Sequence, residues 1–149
     1  MNNYSANTND SGTIGSAITD ASQTPLWIVC ESGQRWLFAI RRFINQLMPA
    51  DSTASIVTGS ADDVGALLVG HRRAVVVWEI SPDNLSAACD QIAKVSISSP
   101  GVLQIAISNG LSDAAVIALT ELGVATTICQ VEQLPRLEKL FHLYFAPAV

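Results

Sequence analysis

Charge is what this sequence has least of. Only 14% of its 149 residues are Asp, Glu, Lys or Arg, against 49% that are apolar. That balance excludes an intrinsically disordered chain, which is rich in charge and poor in hydrophobes. Basic residues are scarcer than acidic ones, 8 against 13, for a net charge of −5. Binding a nucleic-acid backbone takes a concentration of Lys and Arg, so no nucleic-acid partner is expected. The basic residues that do cluster are Arg41–Arg42 and His71–Arg72–Arg73. Both groups are expected at or near the ends of helices, where cations suit the helix dipole.

Cysteine is sparse too. Cys30, Cys89 and Cys129 are odd in number, far apart and free of any C-x-x-C pair, which implies a reduced, intracellular, metal-free chain. No apolar run approaches the roughly 20 residues of a membrane helix, so no membrane partner is expected. The first residues show neither a basic start nor an apolar signal core, which makes the expected location cytoplasmic. Glycine-rich phosphate loops are missing, since neither G-x-G-x-x-G nor G-x-x-x-x-G-K-S/T occurs. A Ser-His-Asp hydrolase is excluded on similar grounds. There is no G-x-S-x-G elbow, and His71 and His142 fall near helix ends.

What is present begins with contrast. Residues 1–24 are rich in Asn, Ser, Thr, Gly and Asp; they bury too little to offset ordering entropy and are expected to form a flexible polar tail. From Pro25 to Val149 short apolar runs alternate with segments of helical period, as in one α/β domain. Five strands are expected at Leu26–Cys30, Ala54–Thr58, Ala74–Ile80, Val102–Ser108 and Ala125–Cys129. The first helix carries Trp36, Leu37, Ile40, Phe43, Ile44 and Leu47 on one stripe. The second starts at Ser60 with Asp62 and Asp63 in its first turn and buries Val64, Leu67 and Leu68. The third buries Leu85, Ala88, Cys89, Ile92 and Val95. The fourth, capped by Ser112 and closed by Gly123, buries Ala115, Val116, Leu119 and Leu122. The last places Leu134, Leu137, Leu140, Phe141 and Tyr144 inward, with Pro135 in its first turn. Strict strand–helix alternation implies a doubly wound, five-stranded parallel sheet of order 2-1-3-4-5 with helices on both faces. Function should then collect beyond the C-terminal ends of the strands.

In element order, element length and short local patterns, Pro25 to about Phe145 resembles the receiver domain of two-component response regulators, a flavodoxin-like fold. Receivers carry two acids after the first strand, where this chain has Val29–Cys30–Glu31. They carry the phosphoacceptor Asp four residues before a Pro; counting back from Pro82 lands on Trp78, and a shift of one residue lands on Glu79. Receivers end the fourth strand with Thr or Ser, which Ser108 matches, and the fifth with Lys-Pro, where this chain has Gln130–Val131. Thr127 falls where many receivers carry a switching aromatic residue.

Phosphoryl transfer to a receiver needs a carboxylate nucleophile, Mg²⁺ held by further carboxylates, and a cation near the phosphoryl oxygens. Trp78 cannot attack phosphorus, Cys30 is a poor ligand for a hard cation, and Gln130 brings no charge. The resemblance therefore implies a degenerate pseudo-receiver whose pocket is Cys30, Glu31, Trp78, Glu79, Ser108 and Gln130, with no catalytic residue, no metal and no cofactor. Trp78 is expected to fill the vacated pocket. Glu79 stands where it could imitate a phosphorylated acid, pair with Glu31 on a cation, or simply face water.

A different chemistry starts from Cys30. A thiol ending a strand before a helix N-terminus invites pKa depression, and Cys30–Glu31–Ser32–Gly33–Gln34–Arg35 resembles the phosphate loops of cysteine phosphatases and sugar-transport phosphocarriers. Those phosphatase loops place five residues between Cys and Arg; here there are four. Glu31 would also oppose both thiolate and phosphate. The alternatives to a non-catalytic signalling domain are thus a cysteine-dependent phosphate-handling enzyme and a small-ligand-binding flavodoxin-like domain using the loop after the first strand. The favoured reading is contact with a partner protein of a signalling or regulatory pathway, or with a second copy as a homodimer. The receiver resemblance places that contact on Ala114–Leu122, Ala125–Cys129 and Leu134–Tyr144.

Overall fold

In a computed structural model, which describes residues 25–48 and 54–145, the apolar runs become five strands. They are β1 (Leu26–Cys30), β2 (Ser55–Thr58), β3 (Ala74–Ile80), β4 (Leu103–Ser108) and β5 (Val124–Ile128). All pair in parallel, in the order β2-β1-β3-β4-β5, which is the expected doubly wound order. The expected tail over residues 1–24 lies outside the described residues.

Five helices cover the sheet: α1 (Arg35–Leu47), α2 (Val64–Leu67), α3 (Leu85–Ser98), α4 (Asp113–Leu122) and α5 (Glu138–Phe145). Strand side chains alternate between the faces, so two cores form. Ile28, Val76, Trp78 and Ala106 point to one face, against Val64, Ala88, Ile92 and Leu119 of α2, α3 and α4. Trp27, Val29, Val75, Val77 and Ile105 point to the other, against Trp36, Ile40, Phe43 and Phe141 of α1 and α5. Burial on both faces is why β1 reads as an unbroken apolar run and β3 as one broken only by Glu79. On the second face Phe141 sits 4.8 Å from Trp27 and 5.6 Å from Phe43, centroid to centroid. The Tyr144 hydroxyl accepts the Ala74 N–H at 3.0 Å and shares its proton between the carbonyls of Ala74 and Gly101, pinning the end of α5 to the start of β3.

Several local expectations change. The second helix shrinks to a 3₁₀ turn (Ala61–Asp63) and a single α-turn, because Gly65 weakens it and Gly70, at φ +81°, ends the segment. The last helix begins as a 3₁₀ stretch (Val131–Leu137) around Pro135, whose missing N–H spoils a regular α start. β5 slips by one residue against expectation, with an irregularity opposite Gln104 and Ile105. α4 buries only Leu119 of its four expected core residues. Arg41 and Arg42 lie in the middle of α1, whose last turn holds no basic residue, so the dipole does not account for them. His71–Arg72–Arg73 lies in the loop between α2 and β3.

Candidate functional site

The C-terminal ends of β1 and β3 open onto a cleft of about 290 Å³ whose walls include Cys30, Glu31, Trp78 and Glu79. Ser108 and Gln130 do not line it. Ser32, Ser60, Ser81, Asn84 and Asn109 do, although the expected pocket included none of them. They come from the loops that follow β1, β2, β3 and β4, where the doubly wound topology gathers loops from distant parts of the chain.

Both acids here and the Asn84 amide already hold the scaffold. Glu31 turns both carboxylate oxygens onto the start of α1, accepting the N–H of Trp36 at 3.0 Å and of Leu37 at 2.8 Å. A carboxylate there satisfies orphan donors and suits the positive end of the helix. An acid just ahead of a helical stripe is a local signal that could have been read from the sequence. Asp63 accepts the N–H and hydroxyl of Ser60 at 3.2 and 2.9 Å. Asn84 accepts the Ser81 N–H at 2.7 Å and donates to the Glu79 carbonyl at 3.1 Å, closing the β3–α3 loop. Ser32 donates its hydroxyl to Glu79 Oε1 at 3.0 Å, tying the loop after β1 to the end of β3.

The remaining expected residues are used in the same way. Ser108 Oγ accepts the Leu111 N–H at 3.2 Å and shapes the turn after β4. Gln130 is exposed, and its backbone N–H and that of Cys129 both donate to Gln133 Oε1, at 3.0 and 2.7 Å.

Trp78, the residue four before Pro82, is 2% exposed and belongs to the α2–α3–α4 core. Its indole Nε1–H donates to Gln104 Oε1 at 3.0 Å, deep in the sheet. Gln104 in turn donates to the Ile92 carbonyl at 3.3 Å and to Ser96 Oγ at 2.9 Å, and Ser96 donates to the Leu122 carbonyl at 2.7 Å. Trp78 therefore walls the cleft without filling it. Its polar atom serves a buried network that joins β3, β4, α3 and α4.

Cys30 is buried at the cleft base beside Trp78, its register partner. Burial, reinforced by the nearby Asp63 carboxylate, pushes its thiol up to about 12. A thiol in that state is a proton-bearing packing group at neutral pH, the reverse of an activated nucleophile. The residues also do not suit a hard divalent cation, which wants several free oxygens. Glu31 has spent both of its oxygens on α1. Among the described residues no group of three His, Cys, Asp or Glu side chains could hold a metal, and no helix is long and apolar enough to cross a membrane.

No family model matches the sequence, and no curated protein matches it. Solved structures do. A response regulator from Thermotoga maritima superposes with a TM-score of 0.66 at 12% identity, covering 83% of this chain and 99% of that one. A CheY-like protein, TadZ, from Pseudomonas aeruginosa gives 0.64 at 16% identity, over 85% and 98%. A putative pilus assembly-related protein from Burkholderia pseudomallei gives 0.62 at 14%, over 84% and 91%. At such identities the likeness speaks to architecture alone, and the architecture is that of the response-regulator receiver.

Proposed function

We propose that this chain is a non-enzymatic receiver-fold module that works by docking to a partner protein and does not run the Mg²⁺-dependent aspartyl phosphorylation cycle. The observation that carries this reading is Trp78. It stands where the receiver resemblance puts the phosphoacceptor, and its indole is turned into the core and bonded to Gln104. The engaged carboxylate of Glu31 and the protonated thiol of Cys30 support it further. Contact with a partner is supported by α4, where Ala114, Ile117 and Ala118 face solvent on a helix that buries only Leu119. The same fold is found in response regulators and in a protein described as pilus assembly-related, so the partner, not the fold, sets the pathway.

Incubation with acetyl phosphate and Mg²⁺, followed by intact mass, is expected to leave the chain unmodified. A phosphoryl adduct on any carboxylate would overturn the reading.

A further inference from the structure

Of the seven asparagines in the chain, Asn109 is the one followed by glycine. The pair lies in the loop between β4 and α4, both residues exposed, with Asn109 on the wall of the cleft. The backbone around it is anchored on both sides. The Asn109 N–H donates to the Ile80 carbonyl at 2.8 Å, and the Leu111 N–H donates to Ser108 Oγ at 3.2 Å. Between these anchors, neither the Asn109 side chain nor the Gly110 N–H has a hydrogen-bond partner among the described residues. Gly110 sits at φ +80°, and a Cβ built on it would meet nothing within 4 Å. With no side chain of its own, Gly110 leaves its nitrogen open to the side-chain amide of Asn109.

The other described asparagines are committed. Asn84 accepts the Ser81 N–H and donates to the Glu79 carbonyl, so both ends of its amide are held. Asn45 lies inside α1, where the next N–H belongs to the helical ladder. Bulkier residues follow both, Leu85 and Gln46.

We infer that Asn109–Gly110 is a self-modification site, at which the folded chain turns an amide on the cleft wall into a carboxylate. The Gly110 nitrogen gives up its proton to hydroxide and attacks Asn109 Cγ. A new C–N bond closes a five-membered imide, the Cγ–Nδ2 bond breaks, and ammonia leaves with a proton taken from water. Water then adds to one of the two imide carbonyls. Attack at Cγ releases aspartate with the ordinary backbone. Attack at the main-chain carbonyl carbon gives isoaspartate, whose backbone passes through Cβ and Cγ. Nothing is oxidised or reduced, and water is the co-reactant.

Either product adds a negative charge to a cleft that already holds Glu31 and Glu79, on a chain of net charge −5. Isoaspartate also lengthens the backbone between Ser108 and Leu111, across the hydrogen bond that shapes this turn.

The test incubates the full native chain at 37 °C, between about pH 7 and 9, and follows its intact mass. The mass should rise by about 1 Da as ammonia is exchanged for water. Digestion and electron-transfer fragmentation should place the change at position 109, as mixed aspartate and isoaspartate, ahead of Asn45 and Asn84. The rate should rise in proportion to hydroxide. It should also lie within about tenfold of the rate in urea, a restraint of at most about 1.4 kcal/mol. Asn109→Gln, whose extra methylene forces a six-membered ring, should leave position 109 unmodified and slow the gain in mass, with an unchanged melting curve.

The inference is overturned if the native chain keeps Asn109 while the urea-unfolded chain converts it, since the folded loop then withholds the amide. Earlier conversion at any other asparagine also overturns it. So does a gain in mass whose rate Asn109→Gln leaves unchanged. A phosphoryl adduct is far heavier, so the acetyl phosphate result is read separately.

Discussion

Thr127 poses the sharpest question at the scale of one residue. Its register partner is Ala106, which also pairs with Trp78, so all three point to the α2–α3–α4 face. The Thr127 hydroxyl is buried there without a hydrogen-bond partner. The receiver resemblance gives this position to a switching aromatic residue; here a small side chain holds it, with Ala106 between it and Trp78. An unpaired buried hydroxyl costs stability, and valine keeps its shape and suits a strand. Thr127→Val should therefore stabilise the chain by about 1 kcal/mol in urea unfolding. Destabilisation would mean that the hydroxyl has a partner in solution.

At the scale of elements, Gln104 decides how β3, β4, α3 and α4 lock together. In Leu103–Ser108 it reads as a polar interruption of a buried strand, and its partners are Trp78, Ile92 and Ser96. None of these is a neighbour in sequence, which is why no local pattern revealed it. β1 and β3 were legible because burial on both faces leaves nearly continuous apolar runs. α1 and α3 were legible because their stripes are long. α2 was not, since Val64, Leu67 and Leu68 fit helical spacing whether the helix has one turn or three. The candidate site was legible in position, at the ends of β1 and β3, but not in use. The sequence places Glu31 in the pocket, and only the folded backbone shows that it and Asn84 close the loops there. Removing the Gln104 amide strands the Trp78 indole N–H and takes a donor from the Ile92 carbonyl and from Ser96 Oγ. Gln104→Leu should cost about 2–4 kcal/mol, and a cycle with Trp78→Phe should return a coupling of about 1 kcal/mol. Additive single losses would mean the Trp78–Gln104 bond contributes nothing.

For the molecule as a whole, burial of ionisable groups sets the alkaline limit. Cys30 is pushed up to about 12 by burial and then by Asp63. Tyr144 is raised too, by burial that outweighs its backbone hydrogen bonds and Arg73. Both are acids that the folded chain keeps protonated while the unfolded chain releases them. Stability from this source is therefore intact below pH 9, the ordinary thiol value, and declines as pH rises toward 12. For Cys30 the slope approaches about 1.4 kcal/mol per pH unit across that window, one proton being bound by the folded state alone. Tyr144, at the partly exposed end of α5, steepens the decline above its ordinary value of 10. Urea midpoints from pH 8 to 11 should fall progressively, and Cys30→Ala should flatten the slope by close to one proton even though the lost sulfur lowers stability at every pH. The same burial predicts that a thiol reagent consumes the exposed Cys129 first and reaches Cys30 only as the chain unfolds. Fast modification of Cys30 in the native chain, or a slope that Cys30→Ala leaves unchanged, would return the thiol to the list of reactive groups and reopen the phosphate-handling chemistry.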